Sequence, residues 1–72
     1  MDSNEFRDIL SENFEDEDIV SQLFDFNDFQ KYLAFIKDSE NNKLIRDLIR
    51  TITDNDTKNK LLDYLTAIKN LC

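Results

Sequence analysis

The side chains of this chain best placed to do chemistry are its carboxylates. Glu5, Asp8, Glu12 and Glu15 recur every three or four residues, and Asp16, Glu17 and Asp18 follow at once. Carboxylates at this spacing can divide a general acid–base task when burial drives their pKa values apart. They can also serve a di-metal bundle when they point inward beside a Glu-x-x-His pattern. The chain contains no histidine. That removes Ser-His and Cys-His nucleophile pairs, the usual nitrogen ligand of zinc, and the di-metal pattern itself. It also contains no glycine. Phosphate-cradling loops and calcium loops need glycine for close backbone approach or for positive φ, so none is expected. Asp54-Asn55-Asp56 lacks both the glycine and the distal glutamate of a calcium loop and reads as a helix cap.

Three other candidates are weaker. Asp38-Ser39-Glu40 looks superficially like the Asp-Ser-Leu attachment site of acyl carrier proteins. Glutamate replaces the leucine, and the upstream glycine is missing, so Ser39 reads as a cap. Tyr32 and Tyr64 fit packing residues with hydroxyls at water. Cys72, the single cysteine and last residue, allows no intramolecular disulfide, and prenylation needs three residues beyond it. No catalytic residue, cofactor or metal is therefore expected, and no enzymatic activity.

The elements that hold these residues are read from apolar spacing. The chain lacks both glycine and proline, and no segment alternates cleanly between apolar and polar. Both features disfavour hairpins and favour helices. Asp2 or Ser3 starts a first helix to about Asn13, with Phe6, Ile9, Leu10 and Phe14 as its apolar face. A short second helix spans about Asp16 to Phe24, with Ile19, Val20, Leu23 and Phe24 as its stripe. Asp25 to Asn27 is a weak break that the two flanking helices could bridge, with Asn27 as the next cap. The third helix carries Phe29, Tyr32, Leu33 and Ile36 and ends near Lys37 or Asp38. Ser39 or Asp38 caps the fourth, whose Leu44, Ile45, Leu48, Ile49 and Ile52 form the cleanest stripe. After Thr53 to Asp56 a fifth helix runs to about Asn70 on Leu61, Leu62, Leu65, Ile68 and Leu71. The expected fold is all-α, a compact bundle of four to five short helices in a single domain over residues 1–72. The longest apolar run, Tyr32 to Ile36, is far too short for a membrane span, and a cytoplasmic protein is expected. So small a core gains only about 3–5 kcal/mol, so the six phenylalanines matter, and a homodimer would add buried area.

Charge supplies the functional expectation. Sixteen acids oppose nine bases for a formal charge of −7. Residues 1–30 hold ten of the acids and one base, and residues 31–72 are slightly basic. Glu5, Asp8, Glu12 and Glu15 fall within about 80° on a helix, away from Phe6 and Leu10. Like charges at these spacings repel, and a structural helix gains nothing from stacking them. The expected role is protein binding. A basic partner surface would meet Glu5, Asp8, Glu12, Glu15, Asp16, Glu17 and Asp18, with Phe26 and Phe35 as apolar anchors if they lie outside the core. Such a regulator or inhibitor could mimic nucleic acid, without binding nucleic acid itself. The alternative is a self-associating assembly module. Lys43, Arg46 and Arg50 form a basic stripe suited to bridging those acids, within the chain or between copies.

Overall fold

The computed structural model describes residues 1–70 and contains five helices: α1 (Ser3–Phe14), α2 (Asp18–Leu23), α3 (Phe29–Lys37), α4 (Ser39–Ile49) and α5 (Asn55–Lys69). Among the described residues there is no strand, in agreement with the all-α expectation. Leu71 and Cys72 lie outside the described residues.

Aspartate starts four of the helices. The carboxylate of Asp2 accepts from the Glu5 N–H at 2.8 Å, Asp28 from Gln30 at 2.9 Å, Asp38 from Asn41 at 3.1 Å and Asp54 from Thr57 at 3.0 Å. Each bond satisfies an N–H that the helix itself leaves unpaired. Glu17 precedes α2 and makes no such bond, so the shortest helix is also the one without a side-chain cap. Several boundaries differ from the sequence reading. α4 ends at Ile49, short of the Ile52 to which its stripe was extended, and α5 starts at Asn55, inside the expected break. α2 covers only Asp18–Leu23. The chain does not run on from α2 into α3. Asp28, not Asn27, caps α3, because its carboxylate, one residue later, reaches the first-turn N–H.

Phe6 and Leu10 of α1, Val20 and Leu23 of α2, Tyr32, Leu33 and Ile36 of α3, Ile45 and Ile49 of α4, and Leu61, Leu65 and Ile68 of α5 form one core cluster. α4 packs against α2, α3 and α5, while α1 packs on α2. Phe6 ties α1 to α5 by stacking on Tyr64 at 4.3 Å between ring centroids. The radius of gyration is 11.2 Å, which matches the ~11 Å of a compact chain this long, so no helix stands away from the rest.

Three members of the expected apolar faces lie outside this core. Leu44 is 49% exposed, Phe29 51% and Phe24 45%. Leu44 sits at the edge of the α4 stripe, where α2 is too short to cover it. Phe29 opens α3, ahead of the turn that enters the core.

The α3–α4 corner has no glycine to bend it. Asp38 donates its N–H to the Ala34 carbonyl, and its own carbonyl accepts from Asn42. The Asn41 and Asn42 amides then reach back to the carbonyls of Phe35 (3.1 Å) and Ile36 (3.3 Å). Asn42 is buried, and its Oδ1 accepts from Arg46 Nε at 2.7 Å, so this inward polar side chain has partners on both sides.

Candidate functional site

α1 and the turn into α2 position the acids. Glu5, Asp8 and Glu12 lie along α1, Glu15 closes it, Asp16 is in the turn, and Glu17 and Asp18 open α2. All seven are exposed, and Glu5, Asp8 and Glu12 lie on the side of α1 away from its buried Phe6 and Leu10. Glu12 and Glu15 crowd the C-terminal end of α1, where the macrodipole favours cations, and no base occupies its last turn. The helix carries this charge at a local cost. Among the described residues, no three carboxylates or thiols are gathered so as to hold a metal ion.

Arg7 is the single base of residues 1–30, and its donors go to neutral oxygens. Nη1 donates to the Leu23 carbonyl at 3.0 Å, Nη2 to Asn4 Oδ1 at 2.9 Å and Nε to the Ser3 carbonyl at 3.3 Å. The guanidinium lies 5.1 Å from the Tyr32 ring centroid and 5.7 Å from that of Phe24, within cation–π range. Arg7 thus closes the C-terminus of α2 and joins α1 to α3. The sequence reading missed this role. The one available signal was a lone cation inside a long acidic stretch.

The basic stripe of α4 does not meet the acids of α1 and α2 through its arginines. Arg46 bonds Asn42 and, at 3.4 Å, Thr66 Oγ1 of α5. Arg50 pairs with Asp47, one turn earlier on its own helix, at 3.4 Å. The short reach of an i, i+3 pair and the inward-facing Asn42 take these donors first.

Phe26 and Phe35 are half-buried against the core and pack on one another, centroids 5.2 Å apart. The pair pins the chain entering α3 to the helix body. The aromatic surface presented to water belongs instead to Phe24, 45% exposed, and Phe29, on either side of Arg7 and Tyr32. The tyrosine hydroxyls are not directed to water as expected. They bond to each other across α3 and α5 at 3.0 Å. Burial, then the bond to Tyr64, pushes the Tyr32 hydroxyl far above its ordinary pKa. Burial also raises Tyr64, against the lowering effects of its bond to Tyr32 and of the Arg7 charge.

Between the acidic turn and α4 runs a trough of about 440 Å³, lined by Asp16, Glu17, Asp18, Ile19, Leu44, Asp47 and Leu48. Ile19, Leu44 and Leu48 make its apolar floor, and carboxylates stand on both sides. Leu44 and Leu48 were read from the sequence as part of the apolar stripe, because nothing local to α4 shows how far α2 extends over it. Among the described residues, no helix is long and apolar enough to cross a membrane.

No family model, curated protein or solved structure matches the chain.

Proposed function

We propose that the chain is a protein-binding module that acts by stoichiometric contact, not by catalysis. Its acidic α1–α2 surface engages a basic region of a partner in the cytoplasm. The observation that carries this reading is the disposition of Arg7. The only cation among residues 1–30 is spent on two backbone carbonyls and an amide, so the seven exposed carboxylates are not neutralised from within their own half. A concentrated field of one sign raises association rates with an oppositely charged partner. Nucleic-acid mimicry is the narrower form of this reading, and there the module would compete with DNA or RNA for one surface of its partner.

The test is binding of a lysine-rich peptide followed by fluorescence anisotropy at rising salt. Wild type should bind at low salt and release as ionic strength passes physiological values. Asp8→Lys combined with Glu12→Lys should abolish binding. Affinity unchanged by that double reversal would end the reading.

Self-association is the second reading, favoured by the exposed Phe24 and Phe29. Sedimentation at micromolar concentration decides it: a dimer lost on Phe24→Gln with Phe29→Gln supports it, and a monomer removes it.

A further inference from the structure

The trough beside the acidic turn narrows the class of partner, given the acidic-surface reading above. We propose that it seats an amphipathic helix of a partner protein, with leucine-type side chains on one face and lysine or arginine flanking them. The floor is apolar because the α4 stripe is wider than α2 can cover. Ile45 and Ile49 are buried beneath the neighbouring helices, while Leu44 is 49% exposed and Leu48 and Ile19 are only half-covered. A lone exposed leucine needs no explanation. Here Leu44 is continuous with two further aliphatic side chains in one depression.

Charge identifies the occupant. Asp16, Glu17 and Asp18 stand on one wall and Asp47 on the other, so an incoming apolar ridge must carry cations on both flanks. A helix with apolar residues at i, i+3 and i+4 and bases beside them has that profile. Asp47 is held by Arg50, but the pair is exposed on both sides. Such pairs contribute little, and a partner's cation can replace it. A second copy of this chain fits poorly. A two-fold contact sets each patch against itself, and would bring these carboxylates face to face. The same rim repels an anionic lipid surface.

The experiment uses two fluorescent peptides of one leucine–lysine composition. One gathers its leucines on a single helical face, and the other is scrambled so that it cannot. The amphipathic peptide should bind more tightly and shift the methyl resonances of Ile19, Leu44 and Leu48. Leu44→Gln, which keeps a good helix former at a half-exposed site, should weaken it about tenfold, the loss expected for one leucine contact. Binding of the scrambled peptide should not change. Asp47→Lys serves as an independent variant on the far wall and should also weaken the amphipathic peptide. If the two peptides bind alike and Leu44→Gln changes nothing, the trough proposal is overturned while the acidic-surface reading stands. If neither binds, both fall. A wild-type dimer that shields the Leu44 methyls would assign the trough to a second copy and overturn the proposal.

Discussion

Tyr32 and Tyr64 show how a polar contact can sit within so small a core. Their hydroxyls are each other's partners at 3.0 Å, and Phe6 stacks on Tyr64 from above. Burial of both rings favours the protonated phenols, so both pKa values are raised, although the shared bond raises Tyr32 and lowers Tyr64. A group whose pKa rises on folding stabilises fully below its unfolded value, here about 10, and loses that contribution as pH climbs toward the folded value. The chain has two tyrosines and no tryptophan, so phenolate absorbance reports on this pair alone. Tyrosinate is expected only above ~10, and ionisation of the buried Tyr32 only together with loss of the far-ultraviolet helical signal. Tyrosinate formed at ordinary pH in a still-helical protein would contradict the buried pair. The spacing of Tyr32 placed it on the apolar face of its helix, and Tyr64 was read only as a packing residue. That their hydroxyls meet depends on how α3 crosses α5, and nothing within either segment contains that angle.

At the scale of elements, α2 depends on its neighbours. It has six residues and no side-chain cap at its start, and isolated helices of that length are not stable in water. Buried Val20 and Leu23 hold it from beneath, and Arg7 satisfies its terminal carbonyl from α1. Arg7→Lys keeps the charge but loses the planar fork and the stacked contact. It should cost about 1–2 kcal/mol, read as a lower urea midpoint with faster amide exchange in α2 than in α4. An unchanged midpoint would show that packing alone holds α2. The capping bonds of α1, α3, α4 and α5 span two or three residues, which is why Asp2 and Asp38 were legible as caps, each beside a serine alternative, and why the Asp54–Asp56 run read as one. The same local chemistry misplaced the start of α3 by one residue, since Asn27 and Asp28 are both competent. The exposure of Leu44 and the burial of Asn42 were not legible at all, because each depends on where a helix distant in sequence ends or turns.

For the whole molecule, the acidic half sets stability against recognition. A formal charge of −7 on 72 residues opposes compaction through self-repulsion. Added sodium chloride should therefore raise the melting temperature by a few degrees, as screening relieves exposed charges beyond the ~10 Å Debye length of 0.1 M salt. The double change Asp8→Lys with Glu12→Lys brings the formal charge to −3, since two acids become two bases. It should melt higher than wild type at low salt while losing the basic peptide. Opposite signs for folding and binding are what a surface kept for a partner implies. If the variant melts lower, those carboxylates stabilise the fold and their charge needs no partner to explain it.

None of the described backbone enters the positive-φ region. Every joint between helices thus uses conformations open to any L-residue, and at the starts of α3, α4 and α5 what specifies it is an acceptor oxygen at the right step of the chain. Such corners can drift in sequence, exchanging aspartate for asparagine or serine, without altering the path. The architecture is robust to change at the places where most small folds are brittle.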